Sequence, residues 1–356
     1  MLTKRILRAS VVALTSALTL PAALPALAEA PIRLPKLNID VTQTTVSGVS
    51  SGAYMATQMH IAYSDIVTGA GLVAGGPYGC ATGVQPSYAG PLRTAIDIKT
   101  AMERCMKTTA GLPDLGQIVA NIQMHEKQNT IGSLDNMRTA RVYIFSGGKD
   151  SVVAPEVVAK AEQVYLALKV PQENIAFDSN PGAEHAFLTS NYGSACDVKG
   201  SPYLNNCGYD QAGALLRHLY PELKTPNAAE AAAKPVTFSQ KEFIRDPSRT
   251  GMLDYGYVYI PESCANGQSC RIHVAFHGCE MSAKKIGDTF AANAGYNRWA
   301  DVNNLVVLYP QIDPDAKMVN ALYGCWDWIA YTGYDYNLRS GFQPSAVRRM
   351  IAALSK

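Results

Sequence analysis

"TVSGVSSGAYMATQM", residues 45–59, sets Ser50 between Gly48 and Gly52 in the pattern G-x-S-x-G. A β-branched run precedes it and a helix-like stretch follows. A serine held on a sharp strand-to-helix turn needs small neighbours, because larger side chains would collide where the chain doubles back. The bare pattern also fits an ordinary glycine-rich loop. The strand before and the helix after supply the context of a nucleophile elbow, with Ser50 as the nucleophile. Ser51 stands too close to the helix to attack, but its backbone N–H is suited to be the first oxyanion donor. Ser47 lacks flanking glycines and reads as structural.

A nucleophilic serine needs a base and an orienting carboxylate, here following in the order Ser, Asp, His. "RVYIFSGGKDSVVAPEVV" puts Asp150 on the turn between a buried strand and an amphipathic helix. Open α/β sheets place their sites at that end of a strand. Asp178 is the second choice, and it is expected to bond its own turn. Among six histidines, only His185 in "SNPGAEHAFLT" lies in a loop directly after a strand that follows Asp150. His185 is therefore the expected base. His60 and His125 sit in helical patterns, His218 ends one, and His273 alternates within a strand.

Outward from the elbow, 42–47, 68–74, 141–147 and 174–178 read as buried strands. Helical patterns at 51–63, part of 92–126, 154–168 and 209–219 alternate with them, which indicates a parallel sheet with helices on both faces. "KTPNAAEAAAKP", 224–235, reads as a linker. Beyond it, 238–244 and 254–264 alternate with period two, as antiparallel strands do. Residues 271–279 form a strand leading into a loop, 285–300 a helix, 304–312 a buried strand and 344–354 a closing helix.

The strand ending in "HVAFHGCEMS" has the form of the esterase loop that gives a second oxyanion N–H. That loop normally precedes the nucleophile, and here it comes far later. Placing 238–356 before 29–223 restores the usual order, so the expected fold is a circularly permuted α/β-hydrolase. The linker would join the two permuted parts.

The segments SGVSSGAYM, IFSGGKD, AEHAF, AFHGCEM and YGCWDW, in this order, resemble the single-domain poly(3-hydroxybutyrate) depolymerases with a circularly permuted α/β-hydrolase domain. The resemblance implies Ser50 as nucleophile, Asp150 as acid and His185 as base, with the N–H groups of Ser51 and Cys279 as the oxyanion hole. It also implies a crevice aromatic at Trp326 or Trp328, without choosing between them, and a polyester or oligoester substrate. The residues themselves allow either a packed core or an aromatic-rimmed groove in "ALYGCWDWIAYTGYDYN", and place Trp299 in the core. A carbohydrate or feruloyl esterase is the neighbouring reading. A polymer-binding protein on an inactive hydrolase scaffold is the reading from another class.

The chain opens with Lys4, Arg5 and Arg8 before an apolar run, and Ala26-Leu27-Ala28 offers a small-x-small cleavage site. That is the layout of a signal peptide over 1–28, and a single membrane anchor is the competing reading. The remaining residues, 29–356, are expected to form one catalytic domain in the periplasm or the medium. Without the leader, 28 bases face 29 acids. No basic block remains, so neither nucleic acid nor a membrane is an expected partner, and a monomer is expected. Eight cysteines in an exported chain favour disulfides. Local pairing gives 80–105, 196–207, 264–270 and 279–325. With no CxxC or HExxH run, neither a metal nor any other cofactor is expected.

Overall fold

The computed structural model describes residues 30–83, 99, 101–227, 231–317 and 323–355. The expected leader over 1–28, part of the helical pattern at 92–126 and residues 228–230 of the linker lie outside the described residues.

The strands are β1 Thr44–Val49, β2 Val67–Val73, β3 Arg141–Gly147, β4 Ile175–Asn180, β5 Phe187–Thr189, β6 Ser194–Ala195, β7 Leu204–Asn206, β8 Val236–Ser239, β9 Tyr255–Tyr259, β10 Arg271–Phe276 and β11 Leu305–Tyr309. Eight of them form one sheet in the order β4-β3-β2-β1-β10-β11-β9-β8. Only β9 runs antiparallel to its neighbours. Counted from β8 to the chain's end and then on through β1 to β4, the sheet reads 1-2-4-3-5-6-7-8. The permuted reading therefore yields a consistent α/β-hydrolase sheet, with the elbow strand at its centre.

The seam between the two parts is the parallel β1–β10 pairing, in register from Thr45↔His273 to Gly48↔Phe276. The helices that flank the sheet are α1 Ser51–Ala62, α2 Leu115–Lys127, α3 Pro155–Ala167, α4 Gln211–Leu219 and α5 Phe342–Leu354. Strand side chains alternate between faces. Val142, Ile144 and Val274 pack with Met59, Ile122, Val157 and Val347 of α1, α2, α3 and α5. On the opposite face Tyr143, Phe145 and Ala275 pack with Leu215 and Leu216 of α4 and with Trp299. All 12 residues of α1 are buried, so it needs no polar face.

The segment before β1 laces the permuted ends together. Ile32 N–H donates to Thr237 O at 2.9 Å, Leu37 N–H to Leu354 O at 2.8 Å, and Asp40 N–H to Cys270 O at 2.9 Å. Near the linker, Lys224 N–H donates to Asn303 Oδ1 at 2.8 Å and Asn303 Nδ2 returns a bond to Lys224 O at 2.9 Å.

Element ends shift by one to a few residues from the sequence reading, and 285–300 departs further. It is three short turns, Ala283–Ile286, Thr289–Asn293 and Tyr296–Asp301. The breaks fall at Gly287 (φ 63°) and Gly295 (φ 95°), conformations that end a helix. The small sheet β5-β7-β6 was not anticipated. All four expected disulfides form: Cys80–Cys105, Cys196–Cys207, Cys264–Cys270 and Cys279–Cys325. No helix among the described residues is long and apolar enough to cross a membrane.

Candidate active site

β1 delivers Ser50 in a conformation that few residues adopt, with φ 56° and ψ −122°. Such backbone costs on the order of 1–3 kcal/mol and persists only where its surroundings enforce it. Here Ser50 N–H donates to Val73 O at 2.9 Å, clamping the turn to the end of β2. The flanking glycines are steric necessities. A Cβ on Gly48 would fall 2.3 Å from the Gly52 carbonyl, and one on Gly52 would fall 2.4 Å from Phe276 O and 2.5 Å from His277 O. The Ser50 side chain does not cap the helix it starts.

The expected acid and the expected base stand on the loops after β3 and β4. Asp150 Oδ1 accepts the N–H groups of Val152 and Val153, each at 2.8 Å. Its Oδ2 faces His185 Nδ1 at 2.8 Å. The Asp150 side chain is completely buried and that of His185 is 6% exposed. With Nδ1–H donating to the carboxylate, Nε2 keeps its lone pair and is the basic atom. Among the described residues no hydrogen bond joins Ser50 Oγ to that nitrogen. The serine is tied to the pair through the sheet, by Ser50 N–H on Val73 and Ala74 N–H on Phe145 O at 2.9 Å. In free enzymes the nucleophile–base bond is often long and tightens on binding.

The loop after β10 abuts the elbow. A Cβ on Gly278 would stand 3.2 Å from Val49 O and 3.4 Å from Ser50 Cβ. His277 orders this loop. Its buried Nε2 accepts from Ile312 N–H at 3.3 Å, so Nδ1 carries the proton and donates to Gly278 O at 2.8 Å. Burial holds the ring neutral, with its pKa lowered to about 4. The Gly278–Cys279 peptide is trans, so pinning its carbonyl to His277 points the Cys279 N–H away from that ring. The Cys279–Cys325 disulfide fastens the loop to the aromatic segment. Ser51 is buried at the first turn of α1, where backbone N–H groups lack intrahelical partners.

Trp326 and Trp328 occupy different settings. Trp326 has no exposed surface and packs edge-on against Phe276, ring centres 4.9 Å apart, with His277 at 5.7 Å. Its backbone N–H donates to Ser51 Oγ at 3.3 Å. It thus braces the elbow and the 277–279 loop from behind. Trp328 is 6% exposed and stacks on Tyr54 of α1 at 5.4 Å. Asp327, between them, accepts from Ile329, Tyr331 and Thr332 N–H groups and from the Thr332 hydroxyl, over 2.6–3.1 Å. Burial still pushes its carboxyl up to about 6.

Other residues weighed in the sequence have ordinary duties. Asp178 accepts from Ser179 N–H beside it, but also from the hydroxyls of Tyr209 and Tyr143, 31 and 35 residues away, so it ties distant segments together as well as its own turn. His218 bonds Asn174 O at 2.8 Å, and His60 packs on Tyr165 with its pKa lowered to about 3 by burial. Trp299 is a core residue at 3% exposure. The sequence reading missed Glu184, buried beside His185, because its partner is 33 residues away and no local pattern marks the pair.

Comparison with known proteins follows the same lines. No family model matches the chain. A poly(3-hydroxybutyrate) depolymerase of Delftia acidovorans is 40% identical over 92% of this chain, and the chain spans 62% of that protein's length. A polyhydroxybutyrate depolymerase of Talaromyces funiculosus is 35% identical over 88% of this chain and 90% of its own length. Among solved structures, a PHB depolymerase serine-to-alanine variant in complex with an R3HB trimer superposes with a TM-score of 0.80. It is 33% identical, over 90% of this chain and 98% of that one. The PHB depolymerase of Penicillium funiculosum gives 0.79 over the same shares.

Proposed function

The chain belongs to the polyhydroxybutyrate depolymerases, and from that premise we propose that it is an exported serine esterase. Its substrates are poly(3-hydroxybutyrate) or related short-chain hydroxyalkanoate polyesters and oligomers. The observation that carries this reading is the buried Asp150–His185 pair on loops beside the strained Ser50 elbow. Ser50 Oγ attacks the ester carbonyl as His185 Nε2 takes its proton. Asp150 fixes the imidazole's tautomer and stabilises the imidazolium. Charge developing on the carbonyl oxygen is met by the N–H groups of Ser51 and Cys279, each donor worth roughly 10²–10³ in rate. His185 then protonates the departing alcohol, and water repeats the sequence on the acyl-enzyme.

The crevice is bordered by the aromatic segment, where Trp328 is the aromatic nearer to solvent of the two. An apolar ring suits a polyester because contact area supplies binding while the carbonyls need few donors. Removal of residues 1–28 on export fits four disulfides, which persist in oxidising compartments.

The test is to incubate the purified protein and Ser50→Ala with hydroxybutyrate trimer and amorphous polymer film and to analyse the products. Release of hydroxybutyrate monomer and short oligomers by the parent alone is expected. Equal release by the variant removes Ser50 from its role, and preference for acetylated xylan over the trimer removes the substrate assignment.

A further inference from the structure

Glu184 is a buried carboxylate directly before the proposed base, 6% exposed, and its charge is spent on the loop that carries the proposed acid. Its Oε1 accepts the Ser151 hydroxyl at 2.6 Å and the Ser151 N–H at 2.9 Å, with Oε2 at 3.2 Å from the same N–H. The N–H groups of three consecutive residues are thus each held by a carboxylate: Ser151 by Glu184, Val152 and Val153 by Asp150.

The two loops are laced below this point. Gly148 N–H donates to Asn180 O at 2.8 Å and Lys149 N–H to Ala183 O at 2.9 Å. They approach so closely that a Cβ on Gly147 would lie 2.6 Å from Ala183 O. Glu184 makes the last cross-link of the series, next to both reacting side chains. Its own N–H donates to Cys196 O at 3.0 Å. Asn205 Nδ2 holds that same carbonyl at 3.1 Å, inside the loop closed by Cys196–Cys207.

We propose that Glu184 is a positioning residue for the Asp150–His185 pair, its carboxylate locking the acid's turn to the base's loop and both to the disulfide-stapled segment. The proposal rests on the catalytic reading given above. Without the carboxylate, the Ser151 N–H and hydroxyl lose their acceptor and the Asp150–Ser151 peptide can rotate. Asp150 Oδ2 then no longer meets His185 Nδ1 at a fixed place. Misplacement of a reacting group by about 1 Å costs on the order of 10² in rate.

The experiment measures kcat and KM on a soluble hydroxybutyrate ester for the parent, Glu184→Ala, Glu184→Gln, Ser151→Ala and Ser50→Ala, with thermal unfolding of each. Glu184→Ala is expected to lose about 10- to 100-fold in kcat with KM nearly unchanged. Glu184→Gln keeps an acceptor oxygen and is expected to restore kcat to within about threefold of the parent. Ser151→Ala, which removes the hydroxyl and spares the N–H, is expected to fall between them. Parent-like kcat in Glu184→Ala overturns the proposal, and so does a Gln variant as impaired as the Ala variant. Should Glu184→Ala not fold, the Gln and Ser151 variants decide by the same pattern, and parent-like kcat in Ser151→Ala overturns it. An inactive Ser50→Ala beside a fully active Glu184→Ala sinks this inference alone, whereas an active Ser50→Ala sinks the site.

Discussion

β1 and the turn that ends it carry two serines, Ser47 and Ser50, and each belongs to a region with its own histidine. In the interior, Ser47 Oγ lies 2.7 Å from His273 Nε2 and 2.7 Å from Tyr296 OH. His273 Nδ1 lies 2.7 Å from Thr45 Oγ1, which donates to Tyr220 OH at 2.9 Å, and that hydroxyl donates to Gln43 O at 2.8 Å. Each hydroxyl has one proton to give, so the chain runs one way: Tyr296 to Ser47 to His273, then His273 to Thr45 to Tyr220 to the backbone. A serine donating to a histidine Nε2 is the same atom pair that a hydrolase uses. It is inert here because the ring is fully buried, its pKa lowered to about 3, and its other nitrogen meets a hydroxyl in place of a carboxylate. Three residues later, past the end of the strand, the backbone turns through a strained conformation at Ser50, and on loops farther along the sheet Asp150 is paired with His185. Residue types alone do not distinguish the proposed site; the end of the strand and the carboxylate behind the ring do.

Substitutions put that contrast to the test. Ser50→Ala is expected to cut kcat/KM on a soluble ester by at least about 10⁴-fold without loss of stability. A small effect would erase the distinction between the two serines. Asp150→Asn gives the outer histidine a neutral partner, as the inner one has, and should cost about 10³- to 10⁴-fold in kcat with the protein still folded. Steady-state kinetics across pH would expose a smaller cost.

Ser47→Ala should act in the opposite sense. Activity per folded molecule stays close to the parent's, while stability falls by about 1–3 kcal/mol because His273 Nε2 and the Tyr296 hydroxyl lose their partner. Urea unfolding monitored by tryptophan fluorescence measures this, and an inactive but equally stable variant would contradict it.

The last contrast is in the pH dependence of stability. His273 has a folded pKa below its free value of 6.5, so its stabilisation is complete above pH 6.5 and is lost as pH falls toward about 3. Its contribution to the slope is about 1.4 kcal/mol per pH unit inside that window. Asp327 works against this. Its folded value is raised from 3.8 to about 6, so its contribution is present below pH 3.8 and lost as pH rises through about 6. Urea melts from pH 7 to pH 4 should show stability falling with acid, and His273→Gln should flatten the fall. An unchanged slope would mean that the inner ring is not held neutral.

Much of this was legible in the sequence, for identifiable reasons. The elbow announces itself because its pattern spans five residues and Gly48 answers a local steric demand, the Gly52 backbone, although Gly52 itself is required by the distant loop after β10. The strand at 141–147 matched end to end, since a continuous apolar run bounded by glycine leaves little freedom. The disulfides followed from local pairing. What stayed hidden depends on distant partners. β5, β6 and β7 are only two or three residues long and are defined by one another's edges. Gly287 and Gly295 sit in a helical pattern, and nothing local reveals that their φ turns positive. Trp326 and Trp328 share one sequence texture, and only tertiary packing sends the first behind the 277–279 loop and the second onto Tyr54. Glu184 looks like any acid beside a histidine until Ser151 is brought to it.

The pairing of β1 with β10 bears on when the protein becomes active. Thr45 and His273 are partners across 228 residues of chain. During synthesis the proposed nucleophile therefore emerges early, while the strand that Gly52 must press against, and the loop bearing the proposed second oxyanion donor, are still to be made. Such long-range pairing is slow to form. On the proposed function, a growing polypeptide carries its serine on an unfinished turn, and an ester in the producing cell meets no assembled catalyst until the later part of the chain has docked.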